Sequence, residues 1–175
     1  MCAALLMVPL RAVAADSPVE RAPEAQVKAA FLLNFVRFAE WPSTPDDASL
    51  VICIVGDEAV AAALADTLAH PTPNGERVQV WRVSSEPSSR SCHVMYVAAS
   101  EIRHFAPILD AVRGRPILTV SDANRFAKSG GMIELFVDAG HMRFAVNVDA
   151  VQQAHVHLGS RLLGLAKIVR DDHGQ

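Results

Sequence analysis

This chain has few cysteines and few aromatic residues, and neither positive nor negative charge is in large excess. Its 175 residues include 3 cysteines, 6% aromatic residues and a formal net charge of −3. This charge balance gives no support for a nucleic-acid binder or a polybasic membrane anchor, because both need a strongly basic surface. The composition is 51% hydrophobic and 20% charged, which excludes a disordered chain and suffices for one globular domain.

Motifs for common catalytic and cofactor chemistry are also missing. Gly56-Asp57 follows the first predicted strand, but G-x-G-x-x-G and the P-loop pattern are absent, so we interpret Asp57 as a helix N-cap. His155 and His157 would point to nearly opposite sides of a predicted helix and could not share a metal there. No G-x-S-x-G is present, and neither strand cysteine has the electropositive setting of a nucleophile. We therefore expect no catalytic residue, no cofactor and no metal site, and a protein that is not an enzyme.

The N-terminal segment, residues 1–15, has a short apolar core followed by small residues, as in a secretory signal peptide. We expect cleavage near Ala14-Ala15 and a periplasmic protein. No lysine or arginine precedes the apolar core, which suggests that the true start codon lies upstream. The alternative is the frayed apolar terminus of a cytoplasmic protein. No segment is long and apolar enough to span a bilayer.

Apolar runs and turn residues predict an α/β domain over residues 24–170. A helix over 24–41 is expected to end at Pro42. Further helices are predicted at 58–69 and 100–112, with a short one around 123–128 and a final one over 149–169. Strands are predicted at 50–55, 77–83, 92–97 and 117–120, with a hairpin formed by 132–137 and 142–148. Three strand–helix alternations favour parallel strands. We expect a single three-layer α/β/α Rossmann-like domain with a mostly parallel sheet and a C-terminal antiparallel hairpin at one edge.

The first predicted helix is apolar on more than one side. Its main stripe consists of Val27, Phe31, Phe35 and Phe38. We expect this stripe to face the sheet. Leu32 and Val36 lie off the stripe, and a helix with two apolar sides must bury both. The sequence therefore predicts a homodimer with Leu32 and Val36 at the dimer interface.

Two of the three cysteines lie in predicted strands, Cys53 within the run 50–55 and Cys92 at the start of the run 92–97. The third, Cys2, lies in the segment expected to be cleaved. Exported proteins form disulfides readily, and adjacent strands bring Cα atoms within disulfide range. We expect a Cys53–Cys92 disulfide. Two free buried thiols in a reducing compartment are the alternative.

Three segments together resemble the YfiR-like family. Residues 28–42 (KAAFLLNFVRFAEWP) resemble its opening helix, residues 130–149 (GGMIELFVDAGHMRFAVNVD) its closing hairpin, and residues 160–166 (SRLLGLA) its last helix. The sequence contexts of Cys53 and Cys92 are also similar. The resemblance extends over about residues 26–169.

The resemblance implies a periplasmic, often dimeric regulator. It implies binding to the periplasmic domain of an inner-membrane diguanylate cyclase of the YfiN type, with lower cyclic di-GMP and less biofilm as the result. It also implies relief by an outer-membrane lipoprotein. We expect the partner surface on the hairpin and the following helix, and its residues to be Phe136, His141, Arg143 and Val151.

A periplasmic small-molecule binding module is the alternative function. Ligands of parallel sheets bind in the crevice at the carboxyl ends of the strands. The residues expected to border that crevice are Asp57, Ser100 and Ser121.

Overall fold

The computed structural model describes residues 18–42, 49–69, 77–84 and 92–171, with side chains of the first helix from residue 23 onward. The predicted signal peptide lies outside these residues. The helices are α1 (Pro18–Phe38), α2 (Glu58–Leu68), α3 (Phe105–Val112), α4 (Val148–Gln153) and α5 (Ser160–Leu163), with 3₁₀ helices at Ala99–His104 and Ala127–Ser129. The strands are β1 (Ala39–Glu40), β2 (Leu50–Val55), β3 (Val78–Arg82), β4 (Val94–Val97), β5 (Leu118–Ser121), β6 (Ile133–Asp138), β7 (His141–Asn147), β8 (His157–Leu158) and β9 (Lys167–Val169).

The main sheet has seven strands in the order β3-β2-β4-β5-β6-β7-β9. Every neighbouring pair is parallel except the β6–β7 hairpin. Strands β2 and β4, the second and third in this order, are apolar along their whole length because both of their faces are buried. The predicted mixed α/β domain with a mostly parallel sheet is confirmed, and the closer description as a three-layer Rossmann-like domain stays a prediction.

The predicted hairpin is confirmed, but the prediction that it lies at the edge of the sheet was wrong. Its turn uses left-handed backbone at Ala139 (φ 48°) and Gly140 (φ 77°), which suits the twist of two antiparallel strands. Strand β9 pairs in parallel with β7, opposite Ala145, Val146 and Asn147, and so covers what would have been the open edge.

The single final helix predicted over 149–169 was wrong. Helix α4 ends at Gln153, and His155 then adopts left-handed backbone with φ 55°, which stops helical winding. Strand β8 follows and pairs with β1, with Leu158 opposite Ala39. The segment predicted as one amphipathic helix is instead a helix–strand–helix–strand succession that buries Val151, Val156 and Leu162.

The expected placement of Leu32 and Val36 at a dimer interface was also wrong. Both side chains are buried within the single chain, at 0% and 3% exposure. Helix α1 packs against β4, against α2 on one side and against α5 on another, so its second apolar side is covered by the protein's own elements. Phe35 is buried against Phe144 as expected, whereas Phe38 is 40% exposed at the end of the helix.

Two apolar cores lie on opposite faces of the sheet. The face covered by α1 and α2, here called the α1 face, includes Ile52, Val94 and Leu118. The opposite face, here called the α3 face, has a smaller core that includes Met95 and Ile108.

The predicted Cys53–Cys92 disulfide is confirmed and lies within the smaller core of the α3 face. Cys53 belongs to β2, and Cys92 precedes β4, the strand that pairs with β2. Their Cα atoms are 5.8 Å apart, within the usual range for a disulfide. The bond therefore joins β2 covalently to the segment that leads into the neighbouring strand β4.

Candidate functional site

A cleft of about 510 Å³ opens at the carboxyl ends of the parallel strands. Three loops meet there: the loops that follow β2, β4 and β5. Residues 24–28 of α1 and the first turn of α2 complete its walls. Its lining residues are Glu24, Ala25, Lys28, Gly56, Asp57, Ala59, Ala98, Ala99, Ser100 and Asp122. We call this site the edge cleft.

Lys28 is the most buried charged residue of the edge cleft, with a side chain 7% exposed. Its Nζ lies 2.7 Å from Asp122 Oδ2 and 2.6 Å from Glu24 Oε1. Burial alone lowers the pKa of Lys28, but the hydrogen bonds and charges of Asp122 and Glu24 outweigh it and raise that pKa above its usual value. The ammonium therefore stays charged and fastens α1 to the loop after β5.

Each carboxylate oxygen of Asp122 has a hydrogen-bond partner. Its Oδ1 accepts a hydrogen bond from the backbone N–H of Ala99 at 2.7 Å, while its Oδ2 contacts Lys28. One carboxylate thus connects α1, the loop after β4 and the loop after β5. Sequence reasoning missed both residues, because Lys28 reads as part of a polar helix face and Asp122 as an ordinary turn residue.

The structure brings two of the three predicted crevice residues to the edge cleft. Asp57 lines it and is the N-cap of α2, as predicted, accepting from the backbone N–H of Val60 at 3.0 Å. Ser100 lines it from within the 3₁₀ helix; the predicted helix start at Ser100 was wrong, since Ala98 precedes the first turn. Ser121 is buried, and its Oγ accepts from the Ala123 N–H at 3.0 Å, which fixes the turn after β5.

Tyr96 lies close to the carboxylates of Asp122 and Asp57 in the edge cleft. Its side chain is fully buried. Burial raises the pKa of Tyr96 well above its usual value, and the nearby carboxylates of Asp122 and Asp57 raise it further. The hydroxyl is therefore protonated and lies close to the acidic wall of the edge cleft.

The predicted partner residues divide into an exposed group and a buried one. Phe136 is half-buried, while His141 and Arg143 are exposed on the β6–β7 hairpin. Arg143 Nε lies 3.1 Å from Asp138 Oδ2. Val151 is 6% exposed and belongs to the core of the α1 face, so its assignment to a partner surface was wrong. It faces inward because α4 packs against the sheet instead of projecting from it.

Exposed apolar side chains surround the accessible hairpin residues. Val137 is 65% exposed and Leu165 is 77% exposed. Lys167 Nζ lies 6.0 Å from the centre of the Phe136 ring. A groove of about 390 Å³ runs along this region, lined by Phe136, Asp138, Arg143, Phe144, Leu165, Ala166 and Lys167. We call the set Phe136, His141, Arg143, Leu165 and Lys167 the hairpin surface.

A family model described as YfiR/HmsC-like matches residues 25–167, well over half of the 175 residues. The chain belongs to the YfiR/HmsC-like family. The match confirms the resemblance read from the sequence. In this YfiR/HmsC-like chain the matched range includes the disulfide, the hairpin surface and all of the edge cleft except Glu24.

Two further observations concern this YfiR/HmsC-like chain. Among residues 18–42, 49–69, 77–84 and 92–171, no helix is long and apolar enough to cross a bilayer. In the same ranges, no group of three or more histidine, cysteine, aspartate or glutamate side chains is arranged to hold a metal ion.

Proposed function

We propose that this protein is a non-catalytic periplasmic regulator that binds the periplasmic domain of an inner-membrane diguanylate cyclase and holds the cyclase inactive. Membership of the YfiR/HmsC-like family is the observation on which the proposal depends. That family suggests a periplasmic regulator of a diguanylate cyclase, and repression by direct binding is our extension. Lower cyclic di-GMP and less biofilm would follow.

The disulfide supports the periplasmic part of the proposal. Cys53 and Cys92 form a buried bond between β2 and the segment before β4, and such structural disulfides persist in oxidising compartments. We further propose that residues 1–15 form a signal peptide cleaved near Ala14-Ala15, and that residues 24–170 form one exported domain. The N-terminal mass of protein from the native host tests the cleavage.

The hairpin surface supports the binding part. Scattered exposed apolar residues are normal, but Leu165 lines a groove together with the half-buried ring of Phe136. Arg143 and Lys167 add positive charge at the margin of this apolar patch. An apolar centre with an aromatic residue and a polar rim is the usual anatomy of a protein interface. We propose this surface, without Val151, as the contact with the cyclase.

The remaining partners follow from the family alone. A homodimer stays a prediction, now without Leu32 and Val36 as its contact residues. An outer-membrane lipoprotein that relieves repression also stays a prediction.

Deletion and complementation in the native host test the function. Deletion should raise cyclic di-GMP and surface attachment, and the wild-type gene should restore both. A Leu165→Asp variant should fold normally but fail to restore them, because it places a charge in the centre of the hairpin surface. Ile102→Asp is the matched control, since Ile102 is 62% exposed on a 3₁₀ helix that is not part of that surface.

A pull-down from native membranes completes the test, with the disulfide of the bait kept intact. The wild-type and Ile102→Asp proteins should retain a membrane signalling protein that Leu165→Asp loses. Unchanged cyclic di-GMP in the deletion strain, together with no membrane partner in the pull-down, would overturn the proposed function.

A further inference from the structure

We infer that a groove over β6, β7 and β9, on the α3 face of the sheet, docks an acidic segment of the partner protein. Its volume is about 290 Å³, and its lining includes Arg125, Lys128, Glu134, Phe136, Ala145 and Lys167. We call it the basic groove. The inference rests on the proposed function, because the partner is the membrane protein of that proposal, and it names the chemistry by which that partner is recognised.

Strand register places the basic groove on the α3 face. Directly paired residues of neighbouring strands lie on the same face of a sheet, and so do residues two apart on one strand. Met95 belongs to the small core of the α3 face and pairs with Thr119 of β5. Ser121, two residues further along β5, pairs with Glu134 of β6. The groove therefore continues the α3 face beyond β5.

The floor of the basic groove is small and its sides are large. Glu134 pairs with Ala145 of β7, and Ala145 pairs with Lys167 of β9, so the three residues form one row across the strands. Ala145 is buried, while the ring of Phe136 is half-buried and Lys167 is exposed. A short side chain between an aromatic ring and an ammonium leaves room for an apolar stem that ends in a carboxylate.

Three cations give the basic groove its charge. The side chains of Arg125, Lys128 and Lys167 line it and are exposed. None of the three forms an ion pair within the part of the chain that the structure describes. With the carboxylate of Glu134 included, the groove keeps an excess of two positive charges. A concave site with charges of one sign concentrates groups of the opposite sign.

The carboxylate of Glu134 is already occupied by the backbone. Its Oε1 accepts from the N–H of Arg125 at 3.0 Å, and its Oε2 accepts from the N–H of Ala127 at 3.1 Å. Each oxygen thus has a donor, and the three cations stay available to a ligand. Glu134 is therefore a positioning residue that holds the segment with Arg125 and Lys128 beside the sheet.

The backbone at Arg125 provides an independent observation. Its φ of 65° is left-handed, which is unfavourable for a residue with a β-carbon. Such strain persists where surrounding bonds enforce it, and it clusters at binding sites. Here the bonds to Glu134 and the Ser129 N–H that donates to the Arg125 carbonyl at 2.9 Å enforce it.

An acidic protein segment fits the basic groove better than an anionic membrane does. Lipid-binding clusters usually contain about four to eight lysines or arginines, whereas this concave site has three and a carboxylate among them. An arginine fork and two ammonium groups suit the carboxylates of aspartate and glutamate. The groove is also continuous with the hairpin surface, because Phe136 and Lys167 belong to both.

Fluorescence anisotropy on the purified protein with its disulfide intact tests the ligand chemistry. The probe is a labelled, acetylated and amidated Glu-Glu-Leu-Glu-Glu peptide, and the Gln-Gln-Leu-Gln-Gln peptide is the uncharged control. We expect saturable binding of the glutamate peptide that weakens as salt rises, and no binding of the control. No binding up to millimolar concentration, or equal binding of both peptides, would overturn the inference. Tighter binding to phosphatidylglycerol vesicles than to the peptide would also overturn it.

Charge-reversal variants locate the binding. Lys128→Glu should weaken the glutamate peptide about tenfold or more, because an attraction is replaced by a repulsion, whereas Lys128→Arg should retain it. Arg103→Glu is the matched control: it makes the same change of charge at an exposed position of the first 3₁₀ helix, outside the groove. Equal losses in Lys128→Glu and Arg103→Glu would indicate nonspecific attraction and overturn the site.

The membrane pull-down connects the basic groove to the partner. Lys128→Glu should lose the membrane protein that the wild-type and Arg103→Glu proteins retain, and excess glutamate peptide should displace it where the glutamine peptide does not. If Leu165→Asp loses the partner but Lys128→Glu keeps it, the inference fails and the proposed function stands. If deletion leaves cyclic di-GMP unchanged and no partner is retained, the proposed function fails, and the peptide titration still decides the chemistry of the groove.

Discussion

The two faces of the sheet are stabilised in different ways. Among the residues that the structure describes, the α1 face contains 28 buried apolar residues in one cluster, whereas the cluster of the α3 face contains 9. The larger face is held mainly by apolar packing, with the Lys28–Asp122 ion pair at its margin. The smaller face contains the disulfide between Cys53 and Cys92. A cross-link acts mainly on the unfolded chain, so it adds stability where little apolar surface is available to bury.

Polar side chains explain why the core of the α3 face ends at β5. Thr119 on β5 and Asn147 at the end of β7 occupy buried positions on this face. Thr119 Oγ1 accepts from the Met132 N–H at 3.1 Å, and Asn147 Nδ2 donates to the Ala127 carbonyl at 2.8 Å. These bonds fix the segment between β5 and β6 over the sheet. The α3 face therefore depends on directional bonds and a cross-link more than on packed apolar volume.

The largest expected effect is a charge placed in the α1 face. Leu32→Asp should prevent folding, because Leu32 is 0% exposed and an unpaired buried carboxylate costs more than about 4 kcal/mol. Circular dichroism and solubility of the purified variant measure the outcome. Asn34→Asp, at an exposed position of the same helix, should fold normally. A folded Leu32→Asp protein that no longer self-associates would instead restore the dimer interface.

The second-largest expected effect is the loss of stability on reduction of the Cys53–Cys92 disulfide in the α3 face. Reduction should lower the free energy of unfolding by roughly 4 kcal/mol, the loop-entropy value for cysteines 39 residues apart. Urea unfolding of oxidised and reduced protein measures the difference, and a Cys53→Ala/Cys92→Ala double variant should match the reduced form. A loss below about 1 kcal/mol would mean that the small core is sufficient without the bond.

A smaller loss of stability is expected when a valine is shortened to alanine, and its size depends on whether the valine is buried or exposed. Val151→Ala should cost about 2 kcal/mol, because Val151 is 6% exposed in the core of the α1 face. Val137→Ala should change stability by no more than about 0.5 kcal/mol, because Val137 is 65% exposed. Paired thermal melts compare the two variants. Similar melting temperatures would contradict the assignment of Val151 to the core.

The smallest effect is a pH dependence at the disulfide end of the α3 face. His93 Nδ1 accepts from the backbone N–H of Val51 at 3.1 Å, so protonation would remove this bond. Burial lowers the pKa of His93 below its usual 6.5. The unfolded chain therefore binds this proton first as the pH falls, and stability should decline below about pH 6.5 until the folded histidine also titrates.

Urea unfolding between neutral pH and pH 5 measures this decline. A His93→Gln variant, whose amide oxygen can still accept from Val51, should have a shallower dependence on pH over the same range. An unchanged slope in the variant would assign the pH dependence to other groups.

Local patterns in the sequence predicted the regular part of the fold. The apolar runs that became β2 and β4 were evident because both faces of those strands are buried. The hairpin was evident from its Asp138-Ala139-Gly140 turn. In both cases the information lies within a few consecutive residues.

The errors occurred where distant elements decide the outcome. Helical spacing alone favoured one helix over 149–169, and only the pairing of β8 with β1 shows why the chain turns at His155. Leu32 and Val36 could be assigned to the core only once α2 and α5 were in place beside α1. The Lys28–Asp122 pair joins residues 94 positions apart, and no spacing rule connects them.

The Cys53–Cys92 bond also makes part of the molecule cyclic. The ring runs from the middle of β2 through α2 and β3 to the start of β4, so it includes the outermost strand of the sheet. A protease that cuts the chain once anywhere between residues 54 and 91 leaves two fragments joined by sulfur. Such nicked protein would migrate near the intact mass without reductant and separate into two bands with it.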